Sequence, residues 1–130
     1  MKAVKFELAG QERYLAFTVE AMFQIQEQFG SPAGLVDAVQ NSGRDGFIAA
    51  CKAAAILAEQ GELARRSLGY DPEPMVGADS IAASLSPADI TALKLAIPAA
   101  MTLGFGREIE PENDEVDLGL AELNAQKKTT

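Results

Sequence analysis

Residues 47–68 read FIAACKAAAILAEQGELARRSL, and this stretch decides the fold. Its first twelve residues carry a single charge, Lys52, and six of them are alanine, the residue with the lowest intrinsic cost in a helix. Apolar residues cover nearly every side of such a helix instead of one stripe, which is typical of an interior helix. The uncharged run ends at Glu59, well short of the roughly 20 residues that a bilayer requires. We therefore predict a buried helix around which the other segments pack.

The composition supports one domain built mainly from helices. The chain has 130 residues, enough for a single domain that buries roughly two thirds of its unfolded surface. Aromatic residues make up 6% and tryptophan is absent, so alanine and aliphatic side chains must fill the core. The net charge of -8 argues against nucleic acid or an anionic membrane as partner and favours a basic or apolar one.

The first segment alternates in the manner of a strand. Val4, Phe6 and Leu8 lie at every second position, residues 9–11 supply a glycine-containing turn, and residues 12–17 continue as a second strand. A lone hairpin is marginal in water, so its apolar face must pack on the helices or on another subunit. We expect one of its edges to stay unused and available for pairing with another copy or a partner.

Several helix starts are marked by capping residues. Thr18, Ser31 before Pro32 and Ser86 before Pro87 each stand where an N-cap is expected. Behind Thr18, the residues Met22, Ile25 and Phe29 fall on one face. A short helix is expected over residues 79–85, and the GRDG sequence of residues 43–46 is expected to form a turn. The predicted fold is mainly α (α+β): an N-terminal β-hairpin packed on a small helical bundle around the central Ala-rich helix.

The last part of the chain differs in composition. We predict a compact domain over residues 1–106 and an acidic tail over residues 107–130, where seven acidic residues face three basic ones. Residues 107–115 are expected to be solvated and mobile. Val116, Leu120 and Leu123 have the spacing of one face of a short helix, and together with Leu118 they are our predicted partner-binding residues. Docking of this segment on its own domain is the alternative.

Catalytic chemistry is not indicated. The chain has no histidine, the commonest general base and zinc ligand, and its one cysteine, Cys51, lies within the central helix, where a thiol is usually a small buried hydrophobe. We therefore predict no enzyme, no metal and no cofactor. One local match is Asp79-Ser80-Ile81, which resembles the serine that acyl carrier proteins modify with phosphopantetheine. No acidic residue follows before Asp89, unlike the acidic helix of carriers, and the simpler interpretation is that Asp79 or Ser80 caps a short helix.

The order of segments resembles a known family. The hairpin is followed by the sequences FTVEA (residues 17–21) and QEQFG (residues 26–30), the alanine-rich helix, and SPAD (residues 86–89). The sequence EVDLGLAEL (residues 115–123) then precedes Lys127-Lys128. This arrangement is similar to that of tail assembly chaperones of long-tailed bacteriophages and prophages.

The resemblance implies a role without catalysis. Such a protein binds the tape measure protein while tail tube protein subunits assemble, acts in the cytoplasm of the bacterial host, and is absent from the mature virion. A longer form is often made by ribosomal frameshifting, and Lys127-Lys128 is the kind of pair that a slippery codon run encodes. A homo-oligomer is also expected. The alternative is another small structural or adaptor protein of a phage particle.

Overall fold

A three-stranded antiparallel sheet contains both the start of the chain and a segment from near its other end. The computed structural model describes residues 2–106 and 115–117. The strands are β1 (Lys2–Leu8), β2 (Gln11–Leu15) and β3 (Glu115–Asp117), in the order β2-β1-β3. Strands β1 and β2 form the predicted hairpin, and both turn residues, Ala9 and Gly10, have positive φ, as a two-residue hairpin turn requires.

The described residues form five helices, and three of them begin at the predicted caps. The helices are α1 (Val19–Phe29), α2 (Pro32–Gln40), α3 (Arg44–Ser67), α4 (Ala78–Ser84) and α5 (Pro87–Gly104). The side-chain oxygens of Thr18, Ser31 and Ser86 each accept a hydrogen bond from a backbone N–H three residues later. These bonds satisfy donors that have no partner within the helix, which is why the sequence marked the starts correctly.

Helix α3 is the interior helix that its composition predicts. It contacts β2 and all four other helices. Half of its 24 residues are buried, five of them alanines, and Leu57 is fully enclosed. Small side chains let neighbouring elements approach the helix from several directions. The element order and these contacts confirm the prediction of a mainly α fold with a hairpin packed on a helical bundle.

Strand β2 lies directly on α3. The Ala16 N–H donates to the Leu57 carbonyl oxygen of the helix at 3.1 Å. Gly61 faces the Tyr14 carbonyl so closely that any Cβ at this position would overlap it. The contact explains why the second strand ends at Leu15 and not at Phe17 as predicted: the chain leaves the sheet here to bond the helix.

The edges of the hairpin are occupied in part. Strand β2 contacts α3, and β3 pairs with the first three residues of β1, with Val116 opposite Ala3 and Asp117 opposite Lys2. Ala3 and Ala16 are buried in a small cluster on this face of the sheet, against which Tyr14 and Val116 pack. The predicted solvated segment thus ends in a strand at residue 115, while its residues 107–114 lie outside the described part.

Two local predictions, of a turn at residues 43–46 and of the residue that caps α4, were wrong. Arg44 to Gly46 form the first turn of α3 and not a loop, because Gly46 lets the helix lie against the Asn41 carbonyl, where a side chain would not fit. Neither Asp79 nor Ser80 caps α4; Gly77 holds the N-cap position, and no side chain bonds to the helix end there. Within residues 2–106 and 115–117, no helix has the length and apolarity needed to cross a membrane.

Candidate functional site

One apolar surface in the described structure combines the start of α1 with the end of α5. Val19 and Phe23 lie one turn apart on α1 and are 66% and 49% exposed. Phe105, which follows α5, is 55% exposed and contributes a third large side chain. We call this region the α1–Phe105 surface, and its full set is Phe17, Val19, Met22, Phe23, Gly104 and Phe105.

Part of this surface is concave. Phe17, Thr18, Val19, Met22, Gly104 and Phe105 line a depression of about 170 Å³. Pockets for small-molecule ligands usually measure roughly 300 to 1,000 Å³, so this one has room for a large side chain and not for a typical cofactor. The shape and chemistry fit an apolar anchor from a polypeptide.

The two faces of α1 explain why apolar side chains remain outside. Ala21 and Ile25 are buried against the core, and Met22 is half-buried, as the predicted apolar face requires. Val19 and Phe23 lie off that face, four residues apart, and therefore point away from the core. The signal that could have identified them is the aromatic Phe23 on the otherwise polar side of an amphipathic helix.

The end of α5 is held in place by an aromatic contact. The rings of Phe17 and Phe105 have centroids 5.2 Å apart and planes inclined by 53°, a favourable tilted geometry for an aromatic pair. Gly104 lies against Phe17 with no room for a Cβ. This close packing brings Phe105 next to α1 although the two are far apart in the sequence.

The charged residues of α1 are all acidic. Helix α1 carries Glu20 and Glu27 and has no lysine or arginine. The Gln24 amide donates to the Glu20 carboxylate at 3.3 Å, and both side chains remain at the surface. An occupant that combines apolar with basic residues would therefore match the surface in both respects.

A second cluster, at the other end of the hairpin, consists of paired charges. Glu62 is buried and accepts hydrogen bonds from Arg65 at 2.9 Å and Arg66 at 2.8 Å, and also from the Glu73 N–H at 2.8 Å. Burial by itself would raise the pKa of the Glu62 carboxyl, but the Glu73 N–H and the two guanidinium groups outweigh it and hold the pKa below its ordinary value.

This polar cluster fixes the connector between α3 and α4. The Gln11 amide donates to the Glu73 carboxylate at 2.9 Å, and the Arg13 guanidinium donates to the Pro74 carbonyl. Arg65 also lies over the Tyr70 ring, 5.4 Å from its centroid. Since the charged side chains are engaged with one another or with backbone, the arrangement accounts for the position of residues 69–77 and supplies a structural role for each group. Among the described side chains, the Nε of Arg13 is the one buried nitrogen or oxygen atom that has no hydrogen-bond partner.

The predicted partner-binding residues are placed only in part. Val116 lies in β3, half-buried and paired with Ala3, so it is not on the face of a helix as its spacing suggested. Leu118, Leu120 and Leu123 lie outside the described residues. Val116 is therefore engaged in the sheet and does not form part of a free apolar face.

Two further residues singled out by the sequence are clearly placed. Cys51 is buried in α3, as predicted, and burial raises the pKa of its thiol. Ser80 is exposed in the first turn of α4, so its hydroxyl is accessible. Among residues 2–106 and 115–117, no three histidine, cysteine or acidic side chains are arranged so that they could hold a metal ion.

The comparisons with known proteins add no relative. The sequence matches no protein-family model, and neither a curated protein nor a solved structure matches it significantly. The function is therefore inferred from the residues and surfaces described above.

Proposed function

We propose that this chain is a tail assembly chaperone of a long-tailed bacteriophage or prophage. In this role it binds the tape measure protein and helps to recruit tail tube subunits, without catalysing a reaction. The order of segments that resembles this family supports the proposal, since it extends from the hairpin to Lys127-Lys128.

The α1–Phe105 surface is the observation that carries the proposal. Three large apolar side chains, Val19, Phe23 and Phe105, are about half exposed or more, and they lie together beside a depression for one further side chain. A long helical partner that has not yet assembled exposes apolar stripes, and such a stripe binds through residues spaced three and four apart. Glu20 and Glu27 on α1 favour a stripe flanked by lysine or arginine.

The tail residues are a second part of the proposed binding surface. Leu118, Leu120 and Leu123 add apolar side chains to the sequence that follows β3. We assign Val116 an anchoring role here, because its side chain packs with the buried alanines of the sheet. Self-association and a longer frameshifted form belong to the same proposal, as does action in the cytoplasm of the bacterial host before the virion is complete.

Co-expression with a tape-measure-like protein tests this function. The two proteins are expressed together from their own operon, and the complex is isolated through a tag on the long partner. We expect co-purification of this chain in 0.5 M NaCl, since an apolar contact survives salt that weakens purely ionic binding. Absence of a complex at micromolar concentrations of both proteins would overturn the proposal.

Quantitative mass spectrometry of purified phage particles distinguishes the proposed chaperone from the alternative, a small structural or adaptor protein of the particle. A chaperone is lost before maturation, whereas a small structural or adaptor protein stays in the particle at a fixed number of copies. Detection of this chain at stoichiometric level in virions would therefore favour the structural role.

For the carrier alternative, the intact mass after co-expression with a phosphopantetheinyl transferase shows whether Ser80 is modified.

A further inference from the structure

We propose that Gln60 is a positioning residue of the α1–Phe105 surface, because from inside the bundle it holds the hydroxyl group with which Thr18 caps α1. Phe17, Thr18 and Val19 line the depression of this surface. Gln60 lies on α3 and is not among the lining residues. It therefore acts on a partner only through the position of α1, and this effect on binding rests on the proposed function.

Gln60 is a polar residue in an apolar environment. It is 6% exposed, and alanine occupies many of the other buried positions of α3. A buried amide is stable only when its hydrogen bonds are made, and fixing its long side chain also costs conformational entropy. Alanine at this position would carry neither cost. The hydrogen bond that Gln60 makes is therefore the property that sets it apart from its neighbours on the helix.

The bond joins the side chains of Gln60 and Thr18. The Thr18 hydroxyl donates to Gln60 Oε1 at 2.6 Å, a separation that is common for O–H···O bonds and shorter than N–H···O bonds usually are. The same hydroxyl oxygen accepts a hydrogen bond from the Ala21 N–H at 3.1 Å. The first bond fixes the direction of the hydroxyl hydrogen, and a lone pair remains for the second. Both bonds thus support a single rotamer of Thr18.

These bonds connect the first turn of α1 to α3. The Thr18 carbonyl oxygen also accepts from the Met22 N–H at 2.9 Å, so residue 18 is bonded to this turn through its side chain and its backbone. Val19 begins the helix, and Phe23 follows one turn later; both are exposed residues of the α1–Phe105 surface. A displacement of Thr18 relative to α3 would therefore displace both of them.

Gln60 extends the junction between α3 and the segment that joins β2 to α1. At this junction the Ala16 N–H donates to the Leu57 carbonyl oxygen, which places the chain two residues before Thr18. The Gln60 bond is a second anchor at Thr18 itself. Phe17 lies between the two anchored residues, so its ring is held at the edge of the depression. A surface that is fixed in this way loses less conformational entropy when a partner binds.

Amide hydrogen exchange tests the link in the free protein. Gln60→Met keeps a long side chain in the interior and removes the oxygen that accepts from Thr18. We expect the amides of residues 21–23 to be protected about tenfold in the unsubstituted protein and about twofold in Gln60→Met, because one hydrogen bond shifts a local equilibrium by up to about tenfold. Amides in the middle of α3 should keep their protection, since methionine still fills the interior position.

Two variants serve as controls. Thr18→Ser keeps a hydroxyl group that makes both bonds, so the exchange of residues 21–23 should stay nearly unchanged. Gln40→Met makes the same replacement at an exposed glutamine, which donates to the Lys94 carbonyl oxygen at 3.4 Å. This bond joins α2 to α5, so its loss should leave the first turn of α1 protected.

Partner binding tests the positioning role. Under the proposed function, Gln60→Met should weaken binding of the tape measure protein about twofold, because the apparent affinity falls in proportion to the fraction of molecules in which the surface is formed. The urea midpoint should change little, because the half-buried Thr18 hydroxyl can bond to water instead. A residue with a merely structural role would lower the midpoint and leave the affinity of the folded protein unchanged.

Three results would overturn the inference. The first is unchanged protection of residues 21–23 in Gln60→Met, and the second is an equal loss of protection in α3, which would make Gln60 a general stabiliser of the core. The third is unchanged affinity although the first turn has lost its protection. If the unsubstituted protein failed to bind the tape measure protein, the proposed function would fail, whereas the exchange experiment would still decide whether Gln60 holds α1 in place.

Discussion

Gly61 of the central helix and Tyr14 of β2 are in direct backbone contact, because the Tyr14 carbonyl occupies the place that a side chain at position 61 would take. The contact joins the two parts of the fold, the hairpin and the bundle. It is reinforced four residues earlier by the hydrogen bond from the Ala16 N–H to the Leu57 carbonyl. The position of Phe17, and with it the α1–Phe105 surface, depends on this junction.

We expect Gly61→Ala to destabilise the protein by about 2 kcal/mol. Alanine is favoured over glycine within a helix by about 1 kcal/mol, but the added methyl group must displace backbone, and overpacking of this kind costs about 1 to 3 kcal/mol or more. The steric cost dominates because the opposing atom is a carbonyl oxygen that cannot rotate away. Urea unfolding at pH 7 measures the change.

Gly77→Ala is the matched control for this substitution. Gly77 has open space around its Cα and an ordinary negative φ, so alanine fits there, and we expect a change within about 1 kcal/mol. A Gly61→Ala protein as stable as the control would show that β2 does not lie against α3 at this point.

The stability of the protein should depend on Glu62 in a pH-dependent manner. The pKa of this carboxyl is lowered in the folded protein, so its contribution is present above the unfolded pKa of about 4.3 and is lost as the pH falls through the folded value. Glu62→Gln should cost about 2 kcal/mol at pH 7, because charged hydrogen bonds to a buried carboxylate are lost. The cost should shrink steadily below about pH 4.

The neighbouring Glu59 provides the control for Glu62. It lies on the same helix but is exposed, and an exposed substitution usually changes stability by less than about 0.5 kcal/mol. Urea midpoints for both glutamine variants at pH 7, 5 and 3.5 therefore separate the buried carboxylate from the general effect of charge. An equal loss at all three pH values for Glu62→Gln would contradict the assigned ion pairs.

The Cys51 thiol should react only when the protein unfolds. It is 2% exposed, and its raised pKa leaves little thiolate at neutral pH. We expect labelling by a thiol reagent in the native protein to be at least about 100-fold slower than in urea, because reaction requires opening of the core. The control protein combines Ile48→Cys with Cys51→Ala, which places an exposed thiol on the same helix, and this thiol should react rapidly. If the native control and the native unsubstituted protein reacted at similar rates, Cys51 would not be buried.

Local signals in the sequence predicted much of the fold. The composition of α3 predicted an interior helix, and the caps at Thr18, Ser31 and Ser86 marked three helix starts, because each depends on residues within a few positions of one another. Strand β3 was missed for the opposite reason. It has three residues with one apolar side chain, Val116, and its pairing with β1 bridges more than a hundred positions, so neither periodicity nor turn chemistry could indicate it.

Local patterns gave only one sign of the candidate surface, the aromatic Phe23 on the polar side of α1. Met22, Ile25 and Phe29 defined the buried face of α1 correctly, but the functional interest lies with Val19 and Phe23 on another side of the helix. Their significance appears only when Phe105 is placed beside them, and that placement follows from the tertiary contact of Gly104 and Phe105 with Phe17.

The same surface yields a prediction for partner binding. Under the proposed function, Phe23→Ser should weaken binding of the tape measure protein at least tenfold, since truncating an aromatic side chain that anchors an interface costs about 2 kcal/mol or more. Because Phe23 is half exposed in the free protein and lies outside the core, its replacement should change the stability of the chain by less than about 1 kcal/mol. The dissociation constant from calorimetry and the urea midpoint measure the two effects separately.

Met75→Ser is the matched control for Phe23→Ser. Met75 is 44% exposed, close to the value for Phe23, but it belongs to the connector held by the Glu62 cluster, away from the α1–Phe105 surface. It should leave both binding and stability nearly unchanged. If both serine variants weakened binding equally, the partner would recognise exposed apolar side chains in general and the surface would have no special role. If Phe23→Ser retained full affinity, the partner would bind elsewhere on the chain.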